Sequence, residues 1–253
     1  MVYRVMTKAD ILSVFIGYDS REPEAYEVAK ASLLKHATMP VHVQKLDERM
    51  LRHAGLYARA WTTEGNQKID ANDGKPFSTE FSFTRFLVPA LMQWEGWALF
   101  VDCDWLFRAD IAELLNEMDD SKAVMVCKQN YQPKTDIKMD GQIQERYFRK
   151  NWSSFMLFNC AHATNRMIGP AAVNIEPGSW LHGLGWVPDD EIGNLRHQWN
   201  WIDGTTDGEA LGVHYTLGGP WFPHMRDMQA PYFDEWRKAA RELGLWKKLE
   251  AVA

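Results

Sequence analysis

Five apolar residues, Trp97-Ala98-Leu99-Phe100-Val101, run unbroken into Asp102-Cys103-Asp104, and few folds accommodate such a join. An apolar run this short reads as a strand covered on both faces, as in a parallel sheet between helices. In extended chain, side chains two residues apart project to the same side, so Asp102 and Asp104 leave the strand end together. Ionised carboxylates rarely sit near a core without a partner, because desolvation is costly. A divalent cation held through oxygen would satisfy both. Ligands of open α/β sheets also collect beyond the carboxyl ends of strands. A lone Asp-x-Asp is more often a polar turn, so its surroundings decide the reading.

Those surroundings are of α/β type. Phe83, Phe86, Leu87, Ala90, Leu91 and Trp94 follow a helical apolar stripe just before the strand. Asp110-Ile111-Ala112-Glu113 has capping-box form and opens a short helix after it. Residues 11–17 form a first apolar run ending in glycine, and Pro23 suits the first position of a helix. Ala25, Val28, Ala29, Ser32 and Leu33 give that helix its apolar stripe, and residues 41–46 alternate as a second strand. Strand, helix, strand favours a parallel sheet with a right-handed crossover. No Gly-rich fingerprint follows the first strand, which argues against a Rossmann dinucleotide site.

The chain has 253 residues, 46% hydrophobic and 25% charged, enough for a sizeable core. With a net charge of −6 and no polybasic run, nucleic acid is not an expected partner. Three unpaired-looking cysteines, Cys103, Cys127 and Cys160, point to a reducing compartment. No run is long and apolar enough to span a membrane, and residues 1–10 lack a signal-peptide core. The expectation is a cytoplasmic protein.

The block Ser82-Phe83-Thr84-Arg85-Phe86-Leu87-Val88-Pro89, followed by Phe100-Val101-Asp102-Cys103-Asp104, resembles nucleotide-sugar glycosyltransferases of the GT-A fold. Within them it is similar to family 8, which includes glycogenin and lipopolysaccharide galactosyltransferases. The resemblance implies a GT-A, Rossmann-like α/β fold: a mostly parallel central sheet flanked by helices, with a small acceptor-side subregion. It implies that Asp102 and Asp104 bind Mn²⁺ (or Mg²⁺) and the donor diphosphate, with Cys103 beside them. The first turn, Tyr18, Asp19 and Arg21, would take the donor base and ribose, or else be a capped helix start. Arg85 would pair with a phosphate or with one of the aspartates.

Further blocks extend the likeness. Asn151-Trp152-Ser153-Ser154 resembles the family's Asn-Ser/Ala-Gly segment and would bring Ser153 and Ser154 to a sugar. Asp189-Asp190-Glu191-Ile192-Gly193-Asn194 falls on the family's Asp-Gln-Asp-Ile-Leu-Asn, giving Asp189 donor-sugar hydroxyls and Asp190 a catalytic place. A carboxylate at Asp190 suits a nucleophile, a charge stabiliser or a general base, so it fits retention, the family expectation, and inversion alike. Trp199 and Asn200 match a Trp-Asn pair on the acceptor side. His214 through Trp221 resembles the segment carrying a third metal ligand, with His214 as that ligand and Trp221 beside the sugar. The family's diphosphate-binding lysine is absent there. Arg21, Arg85, Arg226 or the amides of Gly218 and Gly219 are the candidate replacements.

Residues 60–81 read as a long polar loop, residues 123–128 as a strand, and residues 129–150 as a polar excursion. Residues 233–249 form one amphipathic helix packing on the sheet. The expected organisation is a single domain: a nucleotide-binding half over about residues 1–128, an acceptor-side half over 129–230 and a helix over 231–250. The implied activity is metal-dependent transfer of a sugar from a nucleotide-sugar donor, a UDP-sugar, to a carbohydrate or other hydroxyl acceptor. A nucleotidyltransferase and a non-catalytic nucleotide- or sugar-binding protein are the alternatives. The first lacks its usual glycines here, and the missing lysine favours the second.

Overall fold

The computed structural model describes residues 10–130 and 149–251. The chain opens with β1 (Leu12–Gly17), α1 (Pro23–His36) and β2 (Val41–Leu46), as the apolar pattern predicts. Pro23 starts α1, which buries Ala25, Val28, Ala29, Ser32 and Leu33. α2 (Glu48–His53) follows, capped by the Asp47 carboxylate accepting from the Arg49 amide.

The stretch expected to be a long loop instead carries β3 (Trp61–Glu64), β4 (Gln67–Asp70) and β5 (Pro76–Phe77), a separate antiparallel sheet. Its strands are too polar for hydropathy to show. Gly65, at φ 60, turns the hairpin, a conformation open to glycine at little cost. Buried charge fastens the sheet to the body. Arg59 holds Asp70 through two bonds of 3.0 and 2.5 Å and donates to the carbonyls of Val173 and Glu176.

The helix expected over residues 83–94 is shorter than its stripe. A 3₁₀ turn (Thr84–Leu87) leads into α3 (Val88–Leu91), and Gln93 and Trp94 both adopt φ 55. The Trp94 amide reaches back to the Pro89 carbonyl, and its indole N–H donates to the Asn165 carbonyl at 3.0 Å. Trp94 is thus tied both to α3, through its amide, and to the Asn165 carbonyl, through its indole.

The central sheet adds β6 (Trp97–Val101), with all five residues buried. Then come β7 (Trp105–Phe107), β8 (Val124–Val126), β9 (Phe155–Asn159), α4 (Pro170–Ile175), α5 (Gly178–His182), β10 (Ile192–Asn194) and β11 (Gly212–His214). Six strands lie in the order β10-β8-β9-β6-β1-β2, and β9 alone runs antiparallel to its neighbours. Ile16 pairs with Val101, and Val101 with Phe155. The ends of β1 and β6 and the start of β9 therefore share one rim. Position 17, the last of β1, takes glycine: a Cβ there would lie 2.5–2.9 Å from the Phe81 ring.

β7 and β11 form a second ladder. Instead of one C-terminal helix there are two, α6 (Phe233–Glu242) and α7 (Trp246–Ala251). Gly244, at φ 70, breaks them apart. The Leu245 amide bonds the Ala240 carbonyl and the Gly244 amide bonds that of Arg241, a Schellman end. α6 packs against α1 rather than directly on the central sheet, in a cluster with Leu106, Val213 and Trp221. Most of the excursion expected over residues 129–150 lies outside the described residues. All three cysteines are buried free thiols. Among the described residues, no helix is long and apolar enough to cross a membrane.

Candidate metal and donor site

Asp102 and Asp104 emerge from β6 at the shared rim, and the β7–β11 ladder brings His214 to them. His214 lies opposite Trp105 in that ladder, stacked on its ring at 4.7 Å, and the next amide, of Tyr215, bonds the Asp104 carbonyl at 3.0 Å. The His214 Nε2 lies 3.4 Å from Asp104 Oδ2 and 4.0 Å from Asp102 Oδ2. One ligand atom from each of the three residues falls within 4.8 Å of the others. Their side chains are only 2%, 13% and 15% exposed for His214, Asp102 and Asp104.

This set fits a divalent cation. Two carboxylate oxygens and an imidazole are a mixed O,N donor set of the kind Mn²⁺ accepts. The far side of the imidazole is fixed: His214 Nδ1 is 2.9 Å from Asn200 Oδ1. Bonds of this kind orient metal-ligating histidines. Arg85 takes the outer oxygen of Asp102, with Nη1 2.8 Å from Oδ1, and also donates to the Ser153 carbonyl at 2.8 Å.

The cluster opens into a cavity of about 440 Å³. Of the residues singled out by sequence, Arg21, Arg85, Asp102, Cys103, Asp104, Ser153, Ser154, His214 and Gly218 line it. Burial pushes the Cys103 thiol well above its usual range. Asp19 is wholly buried behind the wall, accepting from the Arg21 side chain at 2.8 Å and the amides of Arg21 and Glu80. Burial alone would raise its pKa, but the bonds and charge of Arg21 outweigh that and hold it below the usual range. Tyr18 also stands off the cavity, with Lys45 4.0 Å from its ring centre.

Other expected site residues take different places. Asp189 and Asp190 precede β10 at the outer edge of the sheet, with β8 and β9 between them and β6. That separation is roughly 14 Å at ordinary strand spacing. The Asp189 side chain is 87% exposed and pairs with Arg149 at 2.5 Å. Neither aspartate lines the cavity. Trp199 is fully enclosed, stacked on Phe155 with its indole N–H on Glu117. Asn200 is fully buried and acts on the site through His214. Trp221 is a core residue donating to Glu22 at 3.1 Å. Arg226 is buried, with its carbonyl bonded to Arg237, and is not in the wall. The Gly218 amide is used in a turn to Tyr215, and a Cβ at Gly219 would strike the Trp221 ring.

Lining residues that sequence reasoning missed come from two segments. The small sheet and the chain after it contribute Asp73, Lys75 and Ser78; α5 contributes Gly178, Ser179 and His182. None sits in a motif, and only the fold gathers them.

No family model matches the chain. It is 41% identical over 247 residues to protein CDI of Arabidopsis thaliana, covering 94% of this chain and 89% of that protein. Among solved structures it is similar to the bifunctional glycosyltransferase WbbM (TM-score 0.55, 14% identity, 94% of this chain and 53% of that one). It is also similar to the glycosyltransferase GlyE of Streptococcus pneumoniae (TM-score 0.54, 14% identity, 90% and 60%). A third is the galactosyltransferase LgtC, solved with donor and acceptor sugar analogues (TM-score 0.53, 13% identity, 91% and 96%). The chain thus spans about half the length of WbbM and three fifths of GlyE. The likeness establishes the GT-A fold.

Proposed function

The chain belongs to the family of the Arabidopsis thaliana protein CDI, and on its GT-A fold we propose that it moves a sugar from a nucleotide-sugar donor, a UDP-sugar, to a hydroxyl acceptor with the aid of a divalent cation. The observation that carries this reading is the meeting of Asp102, Asp104 and His214 in a buried group that opens on one large cavity. The solved structures that share the fold are of glycosyltransferases, which supports glycosyl transfer as the reaction class.

Asp102, Asp104 and His214 would hold the cation, Mn²⁺ or Mg²⁺, with Mn²⁺ favoured by the imidazole. When bound, it supplies positive charge to the departing diphosphate. Arg85 keeps Asp102 turned toward His214 by occupying its other oxygen. Arg21, Lys75 and Lys150 line the same cavity and add positive charge where the family's lysine is missing. Ser153 and Ser179 offer hydroxyls to sugar or acceptor. We place the chemistry on the cavity wall rather than on Asp189 and Asp190. Retention of anomeric configuration rests on the family resemblance alone.

A panel of nucleotide sugars incubated with Mn²⁺ tests the reading by release of nucleotide diphosphate. A UDP-sugar should be turned over and Asp102→Asn should abolish turnover. Thermal shifts with UDP, GDP and CTP should show a Mn²⁺-dependent response to UDP. Pyrophosphate as the released product would instead indicate nucleotidyl transfer, and no Mn²⁺-dependent nucleotide response would sink the proposal.

A further inference from the structure

His182 ends α5 on the cavity wall, and its Nδ1 lies 2.8 Å from the Ser153 Oγ. The ring is clamped: Phe86 meets it edge-on with centroids 5.2 Å apart, and Phe83 lies at 6.2 Å. The Ser153 backbone carbonyl in turn accepts from Arg85, which grips Asp102. The pair is therefore tied to the metal group through Arg85.

In glycosyl transfer to a hydroxyl the acceptor loses its proton, and a base on the wall can take it in place of the departing diphosphate. The carboxylates on the described wall are otherwise engaged. Asp102 and Asp104 belong to the metal group, Glu22 accepts from the Trp221 indole, and Asp73 accepts from the amides of Lys75 and Gly178. His214 is a metal-group residue bonded to Asn200. His182 is the other imidazole on the described wall, and its Nδ1 is paired with the Ser153 hydroxyl that lines the cavity.

Resting on the proposed transferase reading, we infer that Ser153 and His182 form the proton-accepting pair for the acceptor hydroxyl. In the tautomer that leaves Nδ1 without hydrogen, Nδ1 accepts from the Ser153 hydroxyl. The acceptor O–H proton passes to Ser153 Oγ as the Ser153 proton passes to His182 Nδ1. The acceptor oxygen bonds to the anomeric carbon as the bond from that carbon to the diphosphate oxygen breaks, its electron pair leaving with the diphosphate. His182 ends as imidazolium and returns its proton to water after product release.

Among the described residues, the charged groups around the pair are Asp73 at the start of α5, Arg59 over the Phe83 ring, and Arg85 behind Ser153. Arg149 adds to these on the Gly183 carbonyl, with Lys75 and Lys150 along the wall. Protonation of His182 removes the acceptor for the Ser153 proton, so transfer should fall on the acid side of the profile.

The test is the pH profile of transfer to an acceptor by the full chain with Mn²⁺ and a UDP-sugar, beside Mn²⁺-dependent UDP binding by calorimetry. His182→Gln should lower kcat for transfer by about 100-fold or more and remove the acid limb. UDP binding should stay within about threefold. Ser153→Ala should do the same and carries the test if His182→Gln does not fold. Transfer within about threefold of the unmodified protein, or an acid limb that survives in both variants, overturns the inference. Loss of UDP binding in the unmodified protein would instead overturn the transferase reading beneath it.

Discussion

Arg85 Nη1 lies 2.8 Å from Asp102 Oδ1, with the two side chains 6% and 13% exposed. The guanidinium is the standing counter-charge of a carboxylate that the fold holds almost out of water. Removing one member of such a pair strands the other, typically at a cost of about 3–5 kcal/mol. Arg85→Ala should therefore lower stability in urea by about 3 kcal/mol at pH 7 and lose the tie to the Ser153 carbonyl. Arg85→Lys keeps charge without the planar fork and should recover only part of the loss. Equal stability of Arg85→Ala and the unmodified chain would show that Asp102 is compensated elsewhere.

Asn200 acts one bond away from the metal group, through the His214 Nδ1. Asn200→Ala should weaken Mn²⁺ affinity roughly 10- to 100-fold, the usual effect of losing such a partner. His214→Ala should abolish the Mn²⁺-dependent rise in melting temperature. Titrations of both variants with Mn²⁺, followed by calorimetry, check the order of the two effects.

The position of Asp190 sets up a contrast with Asp102. Its side chain is exposed at the sheet edge, outside the cavity wall. Asp190→Asn should leave nucleotide release within about threefold, while Asp102→Asn removes at least about 100-fold. A collapse of activity in Asp190→Asn would return the chemistry to the segment before β10.

Asp19 makes stability pH-dependent. Burial would raise its pKa, but the bonds and charge of Arg21 hold it below the usual value. A carboxylate with a depressed folded-state pKa stabilises above its unfolded value, about pH 4, and loses that contribution as pH falls through the folded value. The stability difference between the unmodified protein and Asp19→Asn should be full at pH 6–7 and shrink below pH ~4. A difference that stays constant from pH 7 to pH 3 would contradict this.

The strands and the acidic pair were legible because they obey periodicity. β1, α1, β2 and β6 follow from apolar runs and stripes, and Asp102 and Asp104 from their place after a buried strand. His214 was found by its neighbourhood to Pro220 and Trp221, and the structure places it beside the aspartates. The small sheet was missed because Thr62, Thr63 and Lys68 give no hydropathy signal. What secures it is the Arg59–Asp70 pair, a contact no local pattern reveals. Asp189 and Asp190 matched a motif in order, yet here they lead into an edge strand. His182 lay in no motif; only the packing of α5 against Phe83 and Phe86 brings it to the wall.

β11 returns from late in the chain to lie along β7, and this has a consequence for assembly. A fragment ending before β11 possesses both carboxylates but lacks the His214 imidazole, however well its sheet has formed. If this group holds a divalent ion as proposed, tight capture would be a late event, available only once the β7–β11 ladder closes. On the proposed reading the ion would be a clasp that resists the peeling away of the last described strand, so saturating Mn²⁺ should slow proteolysis at the C-terminal side before it affects the first helix.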